Sequence, residues 1–172
     1  MAAVLLCGFA SVAQAFVTAG GKWGASQTYG TAGGTVTYSF MPTGTSTSGE
    51  HPGTYTTVNS ALASFEAQVV SAFAAWESVA NIHFVNVADL GNPFNSGPGG
   101  QGTDGSGDIR IGLATFDGPS GILAHAYFSQ PGAPSFAGDM HFDVAETWKL
   151  GFGGSGFSVF QVAAHEIGHS IG

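Results

Sequence analysis

Residues Ser158 to Ile171 impose two constraints at once. Phe160, Ala163, Ala164, Ile167 and Ile171 recur at three- and four-residue steps, the period of an apolar helix face. Ser158, with Gln161 three residues on, is a capping-box start. On the opposite side His165 and His169 sit one turn apart, with Glu166 between them. Such a helix needs an apolar surface to lie on and a cleft to face. Two core histidines would occupy the apolar side instead.

The upstream pattern offers that surface as a sheet. Thr35–Met41 is dominated by β-formers, and His83–Ala88 alternates. Asp108–Leu113, Ile122–Phe128 and Asp139–Val144 read as further strands. A long helix is expected roughly from Asn59 to Ala80, with Leu62, Phe65, Val69, Phe73, Trp76 and Val79 forming a core-facing stripe. Gly20–Gly34, carrying Trp23, and Pro42–Gly53 are loops. Gly91–Gly107 is long for a compact domain, so it is either functional or mobile. Gly151–Gly156 reads as a flexible link. At 172 residues this is one α/β domain.

Charge narrows the partners. Only 8% of residues are charged, against roughly 25% in an average domain. Three basic and eleven acidic residues give a net charge of −8, which excludes a polyanion partner such as nucleic acid. The acids are spread through short motifs beside Gly and His, a pattern that suits cation ligands better than a solvating tail. The apolar run Ala2–Ala15 ends in Val12-Ala13-Gln14-Ala15, an A-x-A-like site. It reads as a secretory signal peptide over residues 1–15, with the mature domain at 16–172. That run is too short to span a membrane. The expected product is a secreted monomer, and the lone Cys7 leaves with the signal.

His-Glu-x-x-His on a helix lets both imidazoles bind one zinc ion (Zn2+), with the Glu placed to take a proton from the attacking water. The continuation Ser170-Ile171-Gly172 gives His-Glu-x-x-His-x-x-Gly. In metzincins that Gly turns the chain toward a third His three residues on. Here the sequence stops at the Gly, so the reading is a domain cut at its zinc helix.

Two upstream blocks, Phe116-Asp-Gly-Pro-Ser-Gly-Ile-Leu-Ala-His-Ala126 and His141-Phe-Asp-Val-Ala-Glu-Thr-Trp148, resemble signature blocks of the matrixins, a metzincin family. The resemblance runs from Lys22-Trp23-Gly24 to the C-terminus. It implies a metzincin-like, twisted, mostly parallel five-stranded sheet with one antiparallel edge strand and two helices, the C-terminal subdomain being absent. It also implies a secreted zinc metalloendopeptidase acting on extended protein or peptide substrates.

Residue by residue, the resemblance assigns His165 and His169 to the catalytic zinc and Glu166 to the general base. Asp117, Asp143 and Glu146, with the main-chain oxygens of Gly118, Ser120 and Ile122, match a structural calcium (Ca2+) site. Asp108 and Asp139 align with a second calcium site whose Gly partners have become Ser135 and Ala137. His125 and His141 match two of four structural-zinc ligands. The other two, a His and an Asp ahead of Phe116, have no counterpart, because that loop is shortened to Leu113-Ala114-Thr115. Leu123 and Ala124 match the main chain that receives substrate. His51 and His83 carry no motif and read as structural. Two rivals remain: a non-catalytic peptide-binding relative, and a Gly-rich extracellular structural protein. Glu166 argues against the first, and the absence of repeats against the second.

Overall fold

The computed structural model describes residues 21–28, 30–97, 102–129 and 134–172. The expected signal peptide, with Cys7, lies outside them. In chain order come strand β1 (Gly34–Phe40), a 3-10 turn (Val58–Ser60), helix α1 (Phe65–Glu77), β2 (Ile82–Asn86), β3 (Ile109–Ala114), β4 (Ala124–Ala126), β5 (Met140–Asp143), β6 (Trp148–Lys149), β7 (Phe157–Ser158) and helix α2 (Val159–Ile171). Five strands form one sheet in the order β2-β1-β3-β5-β4. All neighbours are parallel except β4, which runs antiparallel to β5 along the edge. The expected fold class is the observed one.

The strand period of two sorts the sheet into unlike faces. One face sends Val36, Tyr38, Ile109, Ile111, Met140 and Phe142 against Phe65, Val69 and Phe73 of α1 and Val159, Ala163 and Ile167 of α2. Tyr38 stacks on Phe73 with ring centroids 4.3 Å apart. The other face carries buried Ser39, Arg110, His141 and Asp143. Buried polar groups need partners, and two long loops supply them. The β1–α1 loop adds Met41 and Tyr55, and the loop between β2 and β3 adds Phe94, to a small second core with Ala114.

Arg110 is the centre of this polar face. Its guanidinium holds Asp89 in a fork, Nε to Oδ2 at 2.9 Å and Nη2 to Oδ1 at 2.7 Å, and reaches Asp104 at 3.2 Å. All three side chains are almost wholly buried. The Ser39 hydroxyl donates to Asp89 and accepts from the Gly107 N–H, locking the loop onto β1. At Gly107 a Cβ would lie 2.5 Å from the Tyr38 carbonyl carbon, so only glycine permits this approach.

Three differences from the sequence expectation bear on the packing. The first helix starts at Phe65 rather than near Asn59, because Ser64 takes a left-handed φ of 69° after the isolated 3-10 turn. Asn59 instead caps α1 from seven residues upstream: its Oδ1 accepts the Glu66 N–H, and its Nδ2 donates to the Glu66 carboxylate. The edge strand keeps only Ala124–Ala126 as regular ladder, although Leu123 and Tyr127 still bond across to Asp143 and Asp139. The Gly151–Gly156 link is the loop of a small parallel ribbon, β6 with β7, clipped by the Lys149 ammonium on the Gly154 carbonyl at 2.6 Å.

Replacing Arg110 by Leu leaves two buried carboxylates without their cation. The expected loss is about 3–5 kcal/mol of folding stability, read by urea denaturation. A loss under about 1 kcal/mol would show that this network does not hold the loops.

Candidate active site and metal centres

Helix α2 is set by its cap and by two indoles. The Ser158 hydroxyl accepts the Gln161 N–H at the start. Trp76 of α1 donates to the Ala164 carbonyl, and Trp23 to the Ser170 carbonyl, each at 2.8 Å. The side chains buried along the helix are Val159, Ala163, Glu166, Ile167 and Ser170. Of the expected stripe, Ala163 and Ile167 are buried while Phe160, Ala164 and Ile171 are half-buried, so the buried face is turned partly round the helix. Glu166 falls inside it, while His165 stays exposed and His169 half-exposed.

His165 and His169 face each other through Nε2 atoms 3.1 Å apart. Zinc–nitrogen bonds of ~2.0–2.1 Å in a tetrahedron put ligand atoms about 3.3 Å apart, so the pair fits one ion. Phe128 meets the His169 ring edge-on at 5.3 Å. Glu166 Oε2 is buried with no protein hydrogen bond, and burial pushes the carboxyl up to about 7. A nearby cation favours the ionised form and opposes that shift. Ile122, Leu123, Ala124, Gln161, Val162, His165 and Glu166 line one groove, so α2 and the edge strand share a cleft.

The register of β4 decides which main-chain groups that cleft offers. Leu123 C=O accepts the Asp143 N–H, and Tyr127 N–H donates to Asp139 C=O. Alternation in an antiparallel ladder then turns the groups of Ala124 and Ala126 away from β5. Of the two residues expected at the substrate, Ala124 is free on its outer side. The carbonyl of Leu123 is already spent on the sheet.

The calcium candidates cluster round the turn ahead of β4. Both Asp117 oxygens accept the Ile122 N–H, at 3.0 and 3.2 Å. Gly118 and Ser120 adopt positive φ, 91° and 66°. The Phe116 N–H donates to Asp143 Oδ1, tying this turn to the end of β5. Asp143 Oδ2 and Glu146 Oε1 are buried without a partner. A bare buried carboxylate oxygen is costly, and a hard cation resolves it. At the second expected calcium position both acids have protein partners. Asp108 Oδ2 accepts the Thr37 N–H and hydroxyl, and Asp139 Oδ1 accepts the Arg110 N–H. The positive charge of this region belongs to Arg110.

His125 and His141 do come together, and not alone. Glu50 and His51, from the β1–α1 loop, complete a group whose ligand atoms all lie within 4.8 Å of one another. It is the only group of three or more metal-ligating side chains this close among the described residues. His51, read from the sequence as structural, thus stands among side chains able to hold a metal. Its partners are 74 and 90 residues away in sequence, beyond the reach of any local motif; the adjacent Glu50-His51 in a polar loop was the only signal. His83, by contrast, pairs with Glu77 at 2.5 Å on the surface. Burial pulls the His125 imidazole down to about 4, and lowers His51 and His141 as well, so all three are neutral near pH 7, the form that binds metals.

A family model described as Matrixin matches residues 53–172. Karilysin of Tannerella forsythia is 38% identical over 112 residues, which cover 62% of this chain and 21% of that protein. Matrix metalloproteinase-20 of Homo sapiens is 39% identical over 108 residues, covering 60% and 19%. Interstitial collagenase of Equus caballus is 37% identical over 112 residues, covering 60% and 20%. The matched segment thus spans about a fifth of each relative. With the paired histidines of α2, the buried Glu166 beside them and the edge strand across the cleft, the chain belongs to the matrixin family of metzincin zinc peptidases.

Proposed function

We propose that residues 16–172 belong to the catalytic domain of a secreted, monomeric zinc metalloendopeptidase that hydrolyses peptide bonds of extended protein substrates, the residues present being too few by themselves to complete its zinc site. The observation that carries the reading is Glu166, buried and unpartnered between two imidazoles aimed at one point. Among the described residues no helix is long and apolar enough to cross a membrane.

Zinc held by His165 and His169 supplies Lewis acidity and lowers the pKa of water. The chain's own residues do the rest. An extended peptide joins the outer side of β4 as an added strand, hydrogen-bonded to the Ala124 main chain. Glu166 accepts a proton from the attacking water and passes it to the leaving amine. Its low-polarity surroundings raise its basicity above that of an ordinary carboxylate, which suits proton transfer near neutral pH. Calcium at Asp117, Asp143 and Glu146, with the carbonyls of Gly118, Ser120 and Ile122, fixes the turn that leads into β4 and thereby the substrate edge.

Three outcomes are expected. In protein carrying every ligand of the catalytic zinc, Glu166→Ala lowers casein cleavage by about a hundredfold or more while zinc stays bound, because Glu166 is not a ligand. Residual activity within roughly tenfold of the parent would remove it as base. Calcium at a hundredfold above its dissociation constant adds about 2.7 kcal/mol of stability, seen as a higher melting temperature than in a calcium-selective chelator. Equal melting temperatures would exclude the site. Finally, Ala124→Pro removes an outward N–H that the sheet does not use. It should change stability by less than about 1 kcal/mol while raising KM for peptides. A larger stability loss would place that N–H inside the ladder.

A further inference from the structure

The matrixin resemblance gives the structural zinc two ligands that this chain lacks, in a loop shortened to Leu113-Ala114-Thr115. We propose that Glu50 and His51 of the β1–α1 loop take their place, forming with His125 and His141 a four-coordinate zinc site fed from a different part of the chain.

The ligand atoms all lie within 4.8 Å of one another, and several of their separations approach those of a tetrahedron. Bonds of ~2.0–2.1 Å predict ligand separations of about 3.3 Å. His51 Nε2 lies 3.0 Å from His125 Nε2, and His141 Nδ1 lies 3.2 Å from Glu50 Oε1. Glu50 oxygens stand 3.7 Å from the Nε2 atoms of both His51 and His125. Three imidazole nitrogens and one carboxylate oxygen suit zinc; calcium and magnesium want oxygen throughout.

The loop is shaped to present this pair. The Tyr55 N–H donates to the Thr45 carbonyl, and Ser46 bridges Thr54, so the excursion is closed at its base. The Thr47 hydroxyl bonds the carbonyls of His51, at 2.7 Å, and Gly53, drawing the tip in. Ser48 and Gly49, at φ 52° and 89°, turn the chain just before the ligands. Two phenols then aim the carboxylate: Tyr127 donates to Glu50 Oε1 at 2.6 Å and Tyr55 donates to Oε2. The Phe116 ring stacks on His51 with centroids 4.3 Å apart, fixing its plane. Partners of this kind orient the ligands in protein zinc sites.

The site would tie the β1–α1 loop to β5 and to β4, the strand that receives substrate. It supplies by cross-linking what the shortened segment no longer can. Its test is independent of peptide cleavage, because it is done on a chain from which the catalytic pair is removed.

The full chain carrying His165→Ala and His169→Ala is stripped of metal and titrated with zinc alone. One zinc per chain should bind and raise the melting temperature. Adding Glu50→Gln or His51→Asn should each weaken binding by more than about tenfold, the lower end of what losing even an outer hydrogen-bond partner costs. Tyr127→Phe, which spares all four ligands, should weaken it less, and circular dichroism of the metal-free proteins verifies the fold of each. Cobalt in place of zinc should give the strong visible absorption of a tetrahedral site. No zinc bound in the His165→Ala, His169→Ala chain would overturn the proposal. So would unchanged affinity in folded Glu50→Gln and His51→Asn proteins, or an octahedral cobalt spectrum.

Discussion

The rotation of α2 about its own axis governs the site. Its apolar residues alone would allow a seat centred on Ile171, Phe160 and Ala164. Two indole N–H groups, from Trp76 on α1 and Trp23 near the described N-terminus, bind carbonyls of Ala164 and Ser170 and select another seat. At Gly168 an added Cβ would lie 3.2 Å from the Trp76 ring, so the ring packs directly on the helix backbone. The chosen seat puts Glu166 on the dry side and its neighbour His165 on the wet side. One residue step then separates a carboxylate of raised basicity from an imidazole open to the cleft.

The second constraint is the polar face of the sheet. A sheet covered on both sides ordinarily carries apolar residues on both. This one buries an arginine, two aspartates and a histidine under its loops. The loops answer these groups: Asp89 and Asp104 neutralise Arg110, and Glu50, held by its two tyrosines, hydrogen-bonds to His141. The loops are held by these polar contacts as much as by the small apolar cluster beneath them, which explains how a chain so rich in glycine keeps its long connections in place.

The fold class, with its antiparallel edge strand, and the His-Glu-x-x-His helix were legible because they rest on local periodicity or on contiguous motifs. The start of α1 was not. The apolar stripe runs on through Leu62, while the break comes from the backbone of Ser64, which periodicity does not encode. The β6–β7 ribbon was hidden because each strand is two residues long and its pairing is set by a glycine-rich loop. The depth of Glu166 depended on tryptophans far away in sequence. Glu50 and His51 escaped for the same reason: their meaning exists only once β4 and β5 stand side by side. Local patterns thus sufficed to single out the histidine pair on α2, and tertiary pairing was needed to bring out the Glu50–His51 pair on the loop.

The scarcity of basic residues has a consequence for how this domain meets proteases. The sequence holds three Lys and Arg residues, so enzymes that cut after basic side chains find three bonds to attack. The Lys22 ammonium is engaged by the carbonyls of Trp23 and Ala32, and that of Lys149 by Gly154. The third, after Arg110, lies within β3, every residue of which is buried. Cutting there requires the sheet itself to open, so its rate follows the population of opened molecules rather than local fraying. In a milieu rich in trypsin-like activity, such a composition is a form of armour.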